Sequence, residues 1–539
     1  MKLRPIRYAD RIVKSKQVKF AGLDFREGAA DGAIRYMENM TGDYYPMLAS
    51  RQRREIISQL AGQPGGLGAW DKLFWVDGTD FVYDGKVVGQ VSAGQKVFGC
   101  MMPYVVILPD KAYYNTYTGE FGLIESTWSG NSLQFESTTW FGEDAQANTI
   151  RWAVDWGEYF RPGDAVTISG CTKHPYNNRT SIIQEIQGDK LIFSENCFEL
   201  DGDDGLTKYL EEGALTITRQ MPDLLYCCEN ENRLWGCTKD TIWSCERGDI
   251  FNWYAMDAGA DSSYSVGVGS AGEFTGCISY GGYPVFFKED HIYKVYGSLP
   301  SNFSVLGSAT MGLAKGCNAS LAVAGETLFY LSHSGVVAYT GGIPQLVSEE
   351  LGRSRYRSAC GGSDGRKYYA TLMDVNDEEW LYVYDTRTGL WHREDEMDAV
   401  GFTQLGGALY CLNREGTVLW MNPDGLPTAY PTEPPVRWVV EFADFTEDEP
   451  NVKGLGKLQL RVKLGAGSTM TVKIRYDSEA EEHTVSTVVG DGRKQSYYLP
   501  IVPRRCDHYR LRLEGEGVFQ LQSLVREYYV GSEIRPGRR

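Results

Sequence analysis

The sequence predicts an all-β protein: a β-propeller of six or seven blades with an inserted small β-barrel and a C-terminal β-sandwich. Three observations support this fold class. An aromatic strand–turn–strand phrase recurs, a stretch of short strands with tight turns interrupts it, and nearly perfect apolar–polar alternation follows it. The 61 glycines and 34 tyrosines among 539 residues also favour many turns and aromatic strands.

The recurring phrase predicts the blades. One hairpin cannot bury its own apolar face, so the copies must stack on one another. The first apolar strand of each copy is marked by Phe74, Val105, Leu234, Phe286, Phe329, Tyr369 and Leu409. The later markers follow one another at the roughly 40–50 residues expected of a blade. Phe74 and Val105 lie close enough in sequence to belong to one blade, so the sequence is compatible with either six or seven blades.

The long interval between Val105 and Leu234 indicates an insertion. Arg161–Gly170 is a turn that leads into a strand, and Ser181–Ser194 is a hairpin on a Gly-Asp turn. Such short strands favour a small β-barrel at 124–219. The propeller is therefore assigned to 66–123 and 220–422.

The two ends of the chain differ in character. Five prolines mark a linker at 423–436, since proline interrupts ladder pairing. Strands that alternate one apolar and one charged face then predict a sandwich at 437–530, before a disordered tail at 531–539. Residues 1–65 are interpreted as an arm or docking segment, in which 51–60 is the one helix candidate.

The charge distribution singles out the first residues. The net charge of -17 argues against a protein that grips nucleic acid backbones. The N-terminal segment is nevertheless basic, so either it docks on an acidic partner or on DNA, or it is a solvated end. The candidate contacts to a neighbouring subunit or an adaptor are Lys2, Arg4, Arg7 and Arg11.

Motifs for catalysis or cofactor binding are weak. Gly267–Gly272 matches G-x-G-x-x-G, but a strand follows it where a dinucleotide site needs a helix. The six histidines are far apart, so neither a metal nor a cofactor is expected. The twelve cysteines include no C-x-x-C pair, which fits a reducing cytoplasm. No secretory signal or membrane-spanning run is recognised, so we expect no membrane association.

Several phrases resemble the tail-hub or nozzle proteins of short-tailed bacteriophages, the packaged-DNA stabilisation protein family. Met37–Arg51 resembles the family's opening phrase, which ends in Pro-x-Leu-x-x-Arg. Asn232–Cys237 followed by Ile242–Trp253 is similar to a family blade with Arg-Leu-Trp and Gly-Asp-x-x-Asn-Trp. Val285–Tyr296 and Gly312–Gly316 also fit. The resemblance covers most of the chain, and the insert matches least.

The resemblance implies a structural virion protein rather than an enzyme. Copies would assemble as a homo-oligomeric ring, six by expectation, below the portal and its adaptor or neck protein. The ring would extend the DNA channel, retain packaged DNA and anchor tail fibres or spikes. An acidic lumen would let DNA pass without specific binding. The expected location is the virion tail after assembly in the host cytoplasm, and a long-tailed virion is also open.

Two alternatives remain at the level of sequence. A receptor- or carbohydrate-binding propeller would need exposed aromatic side chains, and four tryptophans cluster in the insert as a candidate glycan platform: Trp128, Trp140, Trp152 and Trp156. Packing of these rings inside the barrel is the favoured interpretation. A polysaccharide-degrading enzyme would need two carboxylates about 5 to 10 Å apart, and no motif singles out such a pair.

Overall fold

The protein is built from strands. The computed structural model describes residues 11–26, 28–139, 146–200, 208–256, 259–352, 355–423, 429–449, 452–502 and 504–530. No helix among these residues has the length and apolar character needed to cross a membrane. The helical segments found in this part of the chain are 3-10 turns: Trp156–Glu158, Pro175–Asn177, Gly259–Asp261, Pro300–Asn302, Asn318–Ser320 and Glu349–Leu351.

The strands are numbered in chain order. The first five are β1 (Arg11–Gln17), β2 (Ile34–Glu38), β3 (Met40–Thr41), β4 (Leu48–Ser50) and β5 (Glu55–Gln59). The next eight are β6 (Pro64–Ala69), β7 (Leu73–Asp77), β8 (Asp80–Tyr83), β9 (Lys86–Gln90), β10 (Val97–Met101), β11 (Tyr104–Leu108), β12 (Ala112–Asn115) and β13 (Phe121–Leu123). Six strands of the insert follow: β14 (Ser126–Thr139), β15 (Gln146–Arg151), β16 (Ala165–Ser169), β17 (Thr180–Gln187), β18 (Lys190–Phe193) and β19 (Lys208–Arg219).

The strands after the insert continue the same series. The first eight are β20 (Tyr226–Asn230), β21 (Arg233–Cys237), β22 (Thr241–Ser244), β23 (Tyr264–Gly267), β24 (Gly276–Tyr280), β25 (Tyr283–Phe287), β26 (His291–Tyr296) and β27 (Ser304–Ala309). Then come β28 (Ala322–Ala324), β29 (Thr327–Ser332), β30 (Gly335–Tyr339), β31 (Gln345–Leu346), β32 (Tyr356–Ser363), β33 (Lys367–Asp374), β34 (Glu379–Asp385), β35 (Leu390–Arg393), β36 (Ala399–Leu405), β37 (Ala408–Asn413) and β38 (Thr417–Trp420). The last eight are β39 (Arg437–Phe442), β40 (Lys453–Leu464), β41 (Thr469–Tyr476), β42 (His483–Val489), β43 (Lys494–Pro500), β44 (Arg505–Cys506), β45 (Tyr509–Glu516) and β46 (Phe519–Val530).

Seven four-stranded antiparallel sheets form the blades of a β-propeller, which confirms the predicted fold class. The blades, numbered 1 to 7, are β6–β9, β10–β13, β20–β23, β24–β27, β28–β31, β32–β35, and β36–β38 with β5. Each of the seven sequence markers lies on the second strand of a different blade, so Phe74 and Val105 belong to two blades. Tight turns make the hairpins: Gly281 and Gly282, both with positive φ, join β24 to β25.

The chain divides into two compact units, Met1–Asp71 with Ala319–Arg539, and Lys72–Asn318. In the second unit, the buried faces of consecutive blades pack in series. One core joins blades 1 and 2, another joins blades 2 and 3, and a third joins blades 3 and 4. The insert is a closed barrel with strand order β14-β15-β18-β17-β16-β19. Its strands run from Ser126 to Arg219, which lies within the predicted range of 124–219.

The other unit contains a two-sheet sandwich that uses both ends of the chain. One sheet has the order β3-β4-β46-β40-β43, with β1 paired to β46 and β44 to β40. The second sheet has the order β2-β39-β45-β41-β42. The segment that we interpreted as an arm therefore supplies β1 to β4 to these sheets. β1 pairs with β46 over seven residues, from Arg11 opposite Val530 to Gln17 opposite Leu524.

Within residues 51–60, the helix candidate, Glu55–Gln59 form the strand β5 instead. β5 pairs antiparallel with β38 and so completes blade 7; Thr417 stands opposite Gln59, 358 positions earlier in the chain. The physical reason is that β-branched Ile56 and Ile57 suit a pleated sheet, and the partner strand that completes it is distant in sequence. The linker ends where β39 begins at Arg437, and its residues 424–428 lie outside the described part of the chain.

A buried ion pair stabilises the strand pairing of the sandwich. The Nε atom of Arg526, on β46, lies 2.6 Å from Oε1 of Glu447, and the two side chains are 6% and 2% exposed. The same guanidinium donates to Oγ of Ser15 on β1 at 2.9 Å and lies 4.1 Å from the ring centroid of Phe445. β1 is thus joined to the interior of the sandwich by its polar side chains as well as by its backbone.

We predict that Arg526→Gln lowers the free energy of unfolding by about 3 kcal/mol, because it leaves the Glu447 carboxylate buried without its cation. Urea unfolding followed by tryptophan fluorescence measures the change. The control is Lys14→Gln on β1, whose ion pair with Glu527 is exposed, and it should change stability by less than about 0.5 kcal/mol. Equal effects of the two substitutions would contradict this account.

Candidate functional site

The loop between β22 and β23 holds the inserted barrel on the propeller. The Oδ1 atom of Asn252 accepts from the backbone N–H of Ala165 at 2.9 Å, and Nδ2 donates to the carbonyl of Gly163 at 3.1 Å. Nδ2 also donates to Oδ2 of Asp249 at 2.8 Å, which fixes the orientation of the amide. Asn252 is buried, so this single side chain satisfies two backbone groups of the barrel.

Phe251, the residue before Asn252, is enclosed by aromatic rings and cations. Its ring centroid lies 5.6 and 5.0 Å from those of Tyr104 and Tyr113 of blade 2, both nearly perpendicular. The guanidinium carbons of Arg161 and Arg219 lie 4.5 and 4.9 Å from the same centroid. Edge-to-face rings and stacked cations each add to the energy of burial, so the loop joins blade 2, blade 3 and the barrel.

A buried ion pair completes this junction. Nη1 of Arg219, at the end of β19, lies 2.5 Å from Oδ2 of Asp164, and both side chains are almost fully buried. Nε of Arg219 donates to the carbonyl of Ile124 at 2.9 Å, where the chain enters the barrel. Burial raises the pKa of the Asp164 carboxyl against the opposing effect of Arg219. The pair makes the position of the barrel specific, because separating its partners would leave a buried charge unpaired.

Arg233, on β21, shapes the loop from inside blade 3. Its guanidinium donates to backbone carbonyls of Cys245, Ala260, Asp261 and Ser262 at 2.7 to 3.3 Å. The side chain is buried, and burial lowers its pKa. The Arg-Leu-Trp and Gly-Asp-x-x-Asn-Trp phrases noted in the sequence therefore build one structure: Arg233 holds the loop, and Asp249 and Asn252 hold the barrel.

Two of the four tryptophans of the alternative carbohydrate interpretation are inside the barrel. Trp128 and Trp156 are 4% and 0% exposed and belong to its core, with ring centroids 5.2 Å apart. Nε1 of Trp156 donates to the carbonyl of Asp189 at 3.0 Å. Trp152 is half-buried against the same core, and Trp140 lies outside the described residues. Trp128 and Trp156 therefore do not form an exposed platform.

Of the four candidate basic contacts, the structure describes only Arg11. Lys2, Arg4 and Arg7 belong to residues 1–10, which are outside the described part of the chain. The backbone of Arg11 begins β1 and pairs with Val530 at the end of β46. Residues 531–539, the predicted disordered tail, also lie outside the described part of the chain.

In the other unit, buried charges join blade 6, blade 7 and the linker. The side chain of Arg54 is 1% exposed; its Nη2 lies 2.6 Å from Glu394 and its Nη1 lies 2.7 Å from Asp395. Glu433 of the linker binds Nη1 of Arg51 at 2.7 Å. Burial opposes the charge on Asp395, yet the Arg54 guanidinium holds the pKa of that carboxyl below its usual value. These ion pairs therefore hold blade 6, blade 7 and the linker together.

One carboxyl group, that of Glu379, has a raised pKa of the kind found at functional sites, and it lies beside Asp398. Glu379 begins β34, and Asp398 precedes β36. Oδ2 of Asp398 lies 2.6 Å from Nε of Arg414, while its enclosed Oδ1 has no donor among the described residues. Burial first, and then the Asp398 charge, raise the pKa of Glu379 to about 7, and a hydrogen bond from Thr371 opposes the rise. A proton on Glu379 would supply the donor that Oδ1 lacks.

This pair does not have the geometry of a glycosidase. Retaining and inverting enzymes separate their two carboxyl groups by about 5 to 10 Å, to leave space for the sugar carbon or a water molecule. The carboxyl groups of Glu379 and Asp398 interact directly instead, and the Asp398 charge raises the pKa of Glu379. No sequence signal could have found the pair, because its members lie on different strands and match no motif. Among the described residues, no group of three or more His, Cys, Asp or Glu side chains is arranged to hold a metal.

A cleft of about 830 Å³ lies between the linker and the sandwich. The two serine hydroxyls that line it are already hydrogen-bonded. Oγ of Ser50 donates to the carbonyl of Gly517 and accepts from the N–H of Phe519. Oγ of Ser468 accepts from the N–H of Val518 at 3.0 Å. These hydroxyls stabilise the turns that line the cleft, so they supply little for recognising a polar ligand.

Comparisons with known proteins do not assign a function. No protein-family model and no curated protein matches the chain. Among solved structures, BamB from Moraxella catarrhalis is 9% identical with a TM-score of 0.31, over 74% of this chain and 99% of BamB. U3-55K is 6% identical with a TM-score of 0.34, over 69% and 98%. A glycoside hydrolase family 43 arabinoxylan arabinofuranohydrolase from Bacillus subtilis is 9% identical with a TM-score of 0.18, over 88% and 96%. These values are too low to carry an argument about function.

We predict that Asn252→Ala loosens the barrel, because the Ala165 N–H and the Gly163 carbonyl lose their partner. Each unpaired buried group costs about 1–3 kcal/mol. Hydrogen exchange should become faster at residues 163–168, with the propeller strands unchanged. Asn230→Ala is the control, since this half-buried amide of the same blade bonds only the Ser279 hydroxyl among the contacts found. Unchanged exchange in Asn252→Ala would contradict the role of the junction.

We predict that Glu379→Gln raises the melting temperature at pH 8 and has little effect at pH 5. The folded pKa of about 7 lies above the ordinary value of 4.5, so the wild type loses stability as pH rises through this interval. The substituted amide would stay neutral and still donate to Asp398. Thermal unfolding from pH 5 to pH 8 measures the difference. Glu378→Gln, at the exposed neighbouring position, is the control, and an equal rise in its melting temperature at pH 8 would contradict the role of Glu379.

Proposed function

We propose that this chain is a structural subunit of a bacteriophage tail hub or nozzle, a ring that extends the DNA channel and carries other tail proteins. The observation that carries the proposal is the structural role of the Gly-Asp-x-x-Asn-Trp phrase around Asn252, which resembles the tail-hub family. Asn252 of this phrase is buried and bonded to the backbone of the barrel, so the phrase has an architectural role. A barrel fixed by an ion pair and a buried ring is suited to a rigid scaffold.

The charges of the chain support the same proposal. A net charge of -17 makes the subunit repel DNA phosphates, which favours passage of DNA over binding. The buried arginines, including Arg54, Arg219 and Arg526, are paired with carboxylates and stabilise the fold. In the proposed ring, the basic residues at the start of the chain contact an acidic neighbour or adaptor.

The ring is tested by mass photometry with negative-stain imaging of the purified chain. We expect particles of about six copies with a central hole. Replacing Lys2, Arg4, Arg7 and Arg11 by Glu should shift the particles toward monomers, because the reversed charges repel an acidic neighbour. The shift should be largest at low salt, where screening is weakest.

A matched variant controls for the added negative charge. It replaces four exposed lysines elsewhere by Glu: Lys86, Lys208, Lys463 and Lys494. This variant should assemble as the wild type does. Loss of the ring in both variants would show an effect of net charge rather than of the N-terminal segment. A wild-type chain that stays monomeric at all concentrations would count against the proposed function.

A further inference from the structure

The outer strand of blade 4 has an open edge. β27 pairs with β26 along its whole length, from Ser304 opposite Tyr296 to Ala309 opposite His291. It is the last strand of its sheet, and no strand of the described residues pairs with its other side. Half of its backbone N–H and C=O groups therefore point away from the sheet, where they form a template for another strand.

β27 lacks the features that protect the other outer strands of its unit. β9 begins with Lys86 and has a register shift against β8, β13 has three residues, and β23 has four. β27 has six residues, Ser-Val-Leu-Gly-Ser-Ala, without a charge, a proline or a register shift. Proteins normally protect exposed edges with such features. An unprotected edge of this length is a surface for pairing.

The side chains on this edge also suit a partner. Leu306 is 58% exposed, and Lys294 lies opposite it on β26. The Nζ atom of Lys294 lies 4.2 and 5.1 Å from the ring centroids of Tyr283 and Tyr296, and it has no carboxylate partner among the described residues. An ammonium group held by two rings beside an exposed leucine fits a segment that carries both apolar and acidic side chains.

We propose that β27 is a subunit contact, at which a second copy of this chain adds an extended segment as a fifth strand. This inference rests on the self-assembly in the proposed function and names one of its contacts. A second copy is the fitting occupant because its charge of -17 supplies acidic side chains for Lys294. Backbone hydrogen bonds supply affinity, and the contact at Leu306 and Lys294 supplies specificity.

The test places a charge on the edge with Leu306→Glu. Leu306 is exposed and lies opposite Lys294 on β26, so the melting temperature should not fall below that of the wild type. The concentration for half-maximal assembly, measured by mass photometry, should rise about tenfold or more, because a carboxylate on the edge opposes pairing and repels the acidic side chains of the partner. Val87→Glu is the matched control, because Val87 on β9 is 60% exposed and its edge is already interrupted. It should assemble as the wild type does.

A second pair of variants tests the ammonium group. Lys294→Glu should weaken assembly as Leu306→Glu does, whereas Lys239→Glu, a reversal at an exposed lysine of the same unit, should not. Normal assembly of both Leu306→Glu and Lys294→Glu would overturn the contact and leave the proposed ring intact. A wild-type chain that never assembles would overturn the proposed function as well, so the two failures are distinguishable.

Discussion

Antiparallel pairing between the two ends of the chain is the constraint on which one of the two units depends. β5 supplies the fourth strand of blade 7, and without it β38 would be an open edge. β1 and β4 pair with β46, so the sandwich also needs the N-terminal strands. Loop-closure entropy grows only slowly with length, by about 0.6 kcal/mol for each doubling, so the fold tolerates joining segments that are far apart in sequence. The result is a blade and two sheets that each contain strands from both ends of the chain.

Buried charge in this protein fixes positions. Arg54, Arg219, Arg233 and Arg526 each make several hydrogen bonds inside the fold. Each would be costly to leave unpaired, and hydrophobic residues of the same volume could give equal stability. The arginines add a defined geometry, because a planar guanidinium forms hydrogen bonds only with partners at particular angles. That property matches a scaffold in which a barrel or a sandwich must be held at one place on its neighbouring strands.

The sequence predicted the parts of the fold whose information is local. Alternation and turn residues lie within one hairpin, so the seven markers fell on the second strands of seven blades and the barrel was bounded closely. The N-terminal strands were missed because their partners are distant. Arg-Ile-Val-Lys-Ser-Lys-Gln looks like a basic arm until β46 is known to lie beside it. The junction between the Asn252 loop and the barrel was predicted only in part. The Gly-Asp-x-x-Asn-Trp phrase was recognised in the sequence, but its contact with Ala165 was not. No sequence pattern indicated the pair of Glu379 and Asp398, because the two residues are brought together only by the packing of two strands.

The two proposed contacts obey opposite electrostatic rules. Basic residues that meet an acidic neighbour attract most strongly at low ionic strength, whereas the bulk of two copies at -17 each repels most strongly there. Strand addition at β27 depends mainly on short backbone hydrogen bonds, which salt does not screen, although salt weakens the attraction of Lys294 for acidic side chains. At physiological ionic strength the Debye length is about 8 Å, so repulsion between the bodies of the subunits fades before these bonds weaken. A subunit with both contacts can assemble across a range of salt concentrations. As salt increases, the contact of the basic N-terminal segment weakens, while strand addition at β27 becomes easier because the repulsion between subunits is screened.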